Sequence, residues 1–237
     1  MLIEFESGYT IMPYVIASSR LGYEQITNEI AQLAGDECYL IDNKENLNLN
    51  VLREINPTYV FFPHWSYMVP KDVYEAYECI IFHMTDLPIG RGGSPLQNLI
   101  SRGIYETKVS ALRCSEGIDT GPIYVKRNLS LYGSAEEIYL RAAKIVEEMI
   151  LFIIGNSPIP VGQEGEPVYF KRRRPEESNI DGLKSLEKAY DYIRMLDAEG
   201  YPHAFFETKH FRMEFRRASL KQDCIHADVI ITMKEDK

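Results

Sequence analysis

The sequence predicts a Rossmann-like, doubly wound α/β fold with a mainly parallel sheet, followed by a small C-terminal α+β appendage. Two observations point to the first part. Short apolar runs alternate with amphipathic stretches of helical period from Thr10 to Ile153, the pattern of βαβ units joined by right-handed crossovers. Two of those runs also break into polar, glycine-rich loops, which is where open α/β sheets carry their ligands. The appendage follows from the turn residues clustered at Gly155-Asn-Ser-Pro-Ile-Pro160, beyond which one amphipathic helix and three strands remain. We place the boundary there, with a catalytic domain over 1–160 and the appendage over 161–237.

In chain order, Leu2 to Phe5 and Thr10 to Ser18 read as strands, the second ending in Ala17-Ser18-Ser19. Tyr23 to Leu33 sets Ile26, Ile30 and Leu33 on one helical face. A strand over Glu37 to Ile41, a helix over Leu49 to Ile55 and a strand over Tyr59 to Phe62 continue the alternation. The first strand-to-helix turn, Ser18-Ser-Arg-Leu-Gly22, is not Gly-x-Gly-x-x-Gly, so dinucleotide binding has no support.

The stretch from Glu78 to Pro122 carries the chemistry. Cys79-Ile-Ile-Phe82 is a buried strand that delivers His83 at its carboxyl end. Ser94-Pro95 then opens a helix, with Ser94 as N-cap and Pro95 at the first position. Lys108 to Cys114 is a second strand, and it breaks into Ser115-Glu-Gly-Ile-Asp119-Thr-Gly-Pro122, which sets a carboxylate on a glycine-bracketed loop. A histidine paired with a carboxylate has a fixed tautomer and suits proton transfer or oxyanion stabilisation. A strand over Ile123 to Leu129 follows, then a capping box at Ser134 to Glu137 opening a helix to about Ile153, with Ile138, Ala142, Ile145, Met149 and Phe152 inward.

Composition limits the remaining classes. At 237 residues with 45% hydrophobic, the chain supports a sizeable core. It shows neither a membrane-length apolar run nor a signal pattern, which predicts a cytoplasmic, soluble protein without a membrane partner. Cys38, Cys79, Cys114 and Cys224 lack paired spacing and read as reduced core thiols, with no metal site. A net charge of -9 argues against a broad polyanion such as tRNA as partner. The one dense basic run, Lys171-Arg-Arg-Arg174, reads either as a solvated face or as recognition of an acceptor's phosphate or carboxylate.

The motifs His83-x-x-x-Leu87-Pro88-x-x-Arg91-Gly92 and Glu116-Gly-Ile-Asp-Thr-Gly-Pro-Ile123 resemble the core of the 10-formyltetrahydrofolate-dependent formyltransferases. The likeness is continuous from about Asn56 to Gly155, and weaker over Tyr169 to Ser178 and Tyr201 to Phe205. It implies the formyltransferase fold and transfer of a formyl group from 10-formyltetrahydrofolate to a primary amine, through a tetrahedral species whose oxyanion must be stabilised. His83 would then donate to the oxyanion, and Asp119 would hold His83 and relay the amine proton. His64, Trp65, Met68, Leu87, Glu116, Gly117 and Ile118 would line the folate site, and Arg172, Arg173 and Arg174 would meet the acceptor.

One position departs from the family pattern: Ile81 stands where the family has Asn two residues before the histidine. Thr85 is our expected replacement donor, ahead of Asn98, Ser66 and the Trp65 indole. The tail better resembles the nucleotide-linked amino-sugar enzymes, including those of surface-glycan synthesis. We therefore expect a small amino-sugar acceptor, no nucleic acid and a homodimer. The alternatives are another small amine as acceptor, hydrolysis of formyl-folate, or a folate-binding module without catalysis.

Overall fold

The computed structural model describes residues 12–20 and 22–234. The elements run in order: strand β1 Tyr14–Ser18, helix α1 Tyr23–Ala34, β2 Cys38–Ile41, α2 Leu49–Ile55, β3 Tyr59–His64, α3 Lys71–Ala76, β4 Cys79–His83, β5 Ile89–Gly92 and α4 Pro95–Ser101. Then come β6 Glu106–Arg113, β7 Ile123–Ser130, α5 Ala135–Asn156, β8 Val168–Phe170, a 3-10 turn over Pro175–Ser178, α6 Leu186–Arg194, β9 Ala204–Glu207, β10 Phe211–Leu220 and β11 Ile225–Met233. The expected strand at Leu2 to Phe5, and Thr10 and Ile11 of the next, lie outside the described residues.

Six strands form the main sheet in the order β2-β1-β3-β4-β6-β7. The ladders β1/β2, β1/β3 and β3/β4 are parallel, whereas β4/β6 and β6/β7 are antiparallel. The sheet is buried on both faces, which is why its parallel strands read as unbroken apolar runs. One face, with Ile16, Phe61, Ile80 and Phe82, packs on Ile138, Ala142, Met149 and Ile150 of α5 and on Leu96 and Ile100 of α4. The other, with Val15, Ala17, Phe62 and Cys79, packs on Leu52 of α2 and Val73 of α3. Ile193, Met195, Leu196 and Ala204 from the C-terminal segment join the first cluster. The strands β9, β10 and β11 make a separate antiparallel sheet.

Local chemistry accounts for the helix ends. Asn48 Oδ1 accepts from the N–H groups of Asn50 and Val51 at the start of α2. At α5 the expected capping box is present: the Glu137 N–H donates to Ser134 Oγ at 3.3 Å, and the Ser134 N–H donates to Glu137 Oε2 at 2.7 Å. On that helix Ile145 and Phe152 are only half-buried, and Tyr139, Val146 and Ile153 take the inward places. Ser94 occupies the N-cap position of α4 with Pro95 at the first turn, as expected, but its side chain makes no capping bond. It sits in the left-handed region at φ 51°, and its Oγ instead accepts from the Arg173 N–H at 3.1 Å. The cysteines are free thiols as expected, but Cys224 is exposed and not a core thiol.

Candidate active site

β4 ends on His83 because the run Cys79-Ile-Ile-Phe82 is buried between two helical layers and the chain then turns into a polar loop. Alternation along the strand puts Cys79, Ile81 and His83 on one face. The Asp119 loop covers that face, but not by the route that strand polarity in a parallel sheet implies. β6 is antiparallel to β4, with His83 opposite Ser110 and Ile80 opposite Arg113, so β6 exits beside the amino end of β4. The loop between β6 and β7 must therefore fold back along the sheet to bring Asp119 to His83.

Two glycines permit this path. A Cβ on Gly121 would lie 1.8 Å from the Arg113 carbonyl oxygen, so only glycine closes the loop's return. Gly92, at φ 106°, passes so near Phe170 that a Cβ would meet its carbonyl oxygen at 2.4 Å, and its N–H donates to Asp119 Oδ2 at 2.8 Å. Asp119 itself holds a left-handed φ of 54°, a conformation that costs a non-glycine residue about 1 kcal/mol or more and persists only when its surroundings impose it. Gln163 helps impose it: its Nε2 donates to the carbonyls of Asp119 and Gly121, each at 2.8 Å, while its Oε1 accepts from Arg91 Nη2 at 2.8 Å.

His83 is buried, and its Nε2 lies 2.8 Å from the Gly90 carbonyl oxygen. A carbonyl can only accept, so Nε2 carries a hydrogen and Nδ1 is the nitrogen turned to Asp119, 3.6 Å from Oδ2. That separation is too long for a direct hydrogen bond and leaves space for a reacting group beside both. In its neutral form the ring offers a lone pair there; as imidazolium it offers a proton.

His83 and Asp119 lie on the wall of a cavity of about 600 Å3. His64, Trp65, Met68, Glu116, Gly117 and Ile118 line it, together with Ile81 and Cys114. Burial, with Asp119 nearby, pushes the Cys114 thiol up to about 11, so it is a neutral wall group at neutral pH. The Trp65 indole N–H is buried with no hydrogen-bond partner among the described residues. Leu87 does not line the cavity and is fully buried. Thr85 does not line it either: the residue is fully buried with its Oγ1 3.5 Å from the Gly90 oxygen. Asn98 directs its amide to the carbonyls of Gly93, Ser94 and Lys171, and its Oδ1 accepts from Arg102.

A second cavity, about 670 Å3, shares His64, Ser66, Ser94, Gln97, Arg172 and Tyr201 with the first. Arg20, Arg172, Arg173 and Arg174 line it. Arg20 is paired with Glu136 at 2.5 Å. Arg173 is partly committed to structure, donating to the Glu177 carbonyl at 2.6 Å and resting over the Tyr192 ring, whereas Arg172 and Arg174 are exposed. Gln163, Tyr139 and Gln97 carry no sequence motif, and only their contacts mark them as part of the site.

Comparison with known proteins agrees with this layout. A family model described as formyl transferase matches residues 24–152, and one described as the methionyl-tRNA formyltransferase C-terminal domain matches 175–232. A solved methionyl-tRNA formyltransferase from Clostridium thermocellum is 48% identical, with a TM-score of 0.92 over 94% of this chain and 100% of that one. The methionyl-tRNA formyltransferase of Rickettsia felis is 29% identical over 170 residues, 69% of this chain and 55% of that protein. The chain thus spans about half the length of the curated relatives it matches. A sugar N-formyltransferase from a Shewanella species shares the fold, with a TM-score of 0.66 at 14% identity over 84% of this chain and 94% of that one.

These matches correct two expectations, the nucleotide-linked amino-sugar acceptor and the exclusion of nucleic acid. The relatives alike in sequence bear the name of a tRNA-modifying enzyme, and the sugar enzyme is alike in fold alone. The net charge of -9 sums the whole surface, whereas a polyanion responds to the local field, and the second cavity is lined by four arginines against two glutamates, Glu136 and Glu199. The formyl transferase model spans more than half of the chain, and the 48% identical structure is matched along its entire length. With the motif residues His83 and Asp119 also facing each other across one cavity, the chain belongs to the formyl transferase family.

Proposed function

We propose that this protein transfers a formyl group from 10-formyltetrahydrofolate to the α-amine of methionyl-tRNA. The observation that carries the reading is the continuity of the two cavities: the His83–Asp119 pair faces one, and an arginine-lined cleft for a polyanion opens from it. Family membership and the 48% identical, fully covered methionyl-tRNA formyltransferase support it. A flat pterin needs an apolar slot with a few fixed polar groups, and Trp65, Met68, Val69, Ile81 and Ile118 provide the apolar part.

The folate supplies an activated formyl group, and the chain's residues do the rest. Asp119, held by the Gly92 N–H and by Gln163, accepts the proton released as the amine attacks the formyl carbon; when the tetrahedral species collapses, the bond from that carbon to N10 breaks and Asp119 returns the proton to N10, which leaves as tetrahydrofolate. His83 has Nε2 fixed on Gly90, so its proton for the formyl oxygen comes from Nδ1, and Asp119 stabilises the imidazolium that carries it. Ile81 offers no donor, and His83 is the donor that takes the place of an amide at the formyl oxygen.

The test is formylation of methionyl-tRNA with 10-formyltetrahydrofolate, read by mass of the released aminoacyl group. Product with the wild type and none with His83→Ala is expected. Wild-type protein that binds folate and leaves methionyl-tRNA unformylated would remove the reading.

A further inference from the structure

Gln97, Tyr139 and Tyr201 form a hydrogen-bonded series that the reaction above does not use. Its direction can be read from one end. Gln97 is 2% exposed, and one terminal atom of its amide lies 3.1 Å from the Met195 carbonyl, which can only accept, so that atom is Nε2. Nε2 also donates to Tyr139 Oη at 3.3 Å. The Tyr139 phenol is buried and stays protonated, since burial raises its pKa well above the ordinary value. Its single hydrogen needs an acceptor, and Tyr201 Oη is there at 2.7 Å.

Tyr201 therefore accepts from Tyr139, and its own hydrogen must point elsewhere. Its ring is pinned by stacking on Tyr139, centroids 5.5 Å apart and planes 24° off parallel. Tyr201 lines both cavities, so the passage between them is where that hydrogen is presented. A series of donors aligned in one sense polarises the last of them and strengthens the bond it gives.

We infer that the Tyr201 hydroxyl binds and positions the acceptor, donating to an uncharged oxygen of its aminoacyl-ribose ester. This rests on the functional reading above. The amine must reach His83 and Asp119, and the phosphates belong with Arg172 and Arg174. The stretch between them carries neutral ester and ribose oxygens, and it has to pass Tyr201. Tyr139 and Gln97 act through Tyr201 and are positioning residues.

Steady-state formylation of methionyl-tRNA separates the outcomes. Tyr201→Phe keeps the stacked ring and should raise the acceptor KM about fivefold, the loss of one hydrogen bond, with kcat and the KM for 10-formyltetrahydrofolate within about twofold. Tyr139→Phe, which leaves the Tyr201 hydroxyl in place but unaimed, should give a smaller rise, and none when added to Tyr201→Phe. A wild-type acceptor KM in Tyr201→Phe overturns the assignment, as does a Tyr139→Phe effect that persists in the double variant. Should Tyr201→Phe not fold, an unchanged acceptor KM in Tyr139→Phe overturns it equally. Wild-type protein that forms no formyl product overturns the functional reading instead, and the assignment with it.

Discussion

Asp119 Oδ2 stands 3.6 Å from His83 Nδ1, although β4 and the strand leading to Asp119 run in opposite directions. The carboxylate reaches the ring because its loop folds back over the face of β4, tethered by the Gly92 N–H to the turn that follows His83. The tether and the imidazole act on the same oxygen. The pair is thus held by backbone, and its geometry does not depend on a direct bond between the two side chains.

Asp119→Asn should therefore keep the loop and remove the chemistry. The amide oxygen can still accept from Gly92, while the capacity to take a proton is gone. We expect kcat to fall about a hundredfold or more, with the dissociation constant for the folate donor changed less than about threefold. Stopped-flow turnover beside equilibrium donor binding checks this, and a variant with near-normal kcat removes Asp119 from proton transfer.

Much of the scaffold was legible because its signals are local. The helix over Leu49–Ile55 and the strand over Ala204–Glu207 fall where period and turn residues put them. The short β5, paired in parallel with β8 from a segment far along the chain, was not legible, since neither strand has a partner nearby in sequence. His83 and Asp119 were visible through their loops, yet the path joining them was not, because the antiparallel setting of β6 is a tertiary choice. Gln163 carries no signal at all: an isolated polar residue in a loop clamps the Asp119 loop only once the chain has folded.

The loop's return depends on Gly121. In Gly121→Ala the new methyl would overlap the Arg113 carbonyl, so β6 and the loop must separate. A loss of about 2–4 kcal/mol in unfolding free energy is expected, together with a fall in kcat. Gly155→Ala is the control, since a Cβ there meets nothing within 4 Å and the residue lies in α5; it should be neutral or stabilising by up to about 1 kcal/mol. Denaturant titrations of the two variants test the contrast, and equal stabilities would mean that the loop path is not constrained at Gly121.

If the exposed Arg172 and Arg174 meet phosphates, each change to Ala should raise the acceptor KM and leave the donor KM alone. The slope of log affinity against log salt should fall by about one for each phosphate that is no longer neutralised. Arg173→Ala should act differently, lowering stability because nothing then donates to the Glu177 carbonyl or covers the Tyr192 ring. Acceptor kinetics that are identical at low and high salt in wild type and Arg172→Ala would return these side chains to a solvated surface.

His64 sits where the two cavities join, and burial, reinforced by Arg20, pushes its imidazole from 6.5 down to about 4. Below pH 6.5 the unfolded chain takes up a proton that the folded one refuses. Stability from this residue is therefore full above about pH 6.5, falls as pH drops through the window, and levels off below about 4. The shift corresponds to a loss on the order of 3 kcal/mol across the window. Carboxylates titrate in part of the same range, so the measurement is a comparison: urea unfolding of wild type and His64→Gln at pH 7 and pH 4.5. The variant should lose less stability between the two, because Gln places no titrating group beside Arg20 and Tyr139; equal losses would assign the acid sensitivity to other groups.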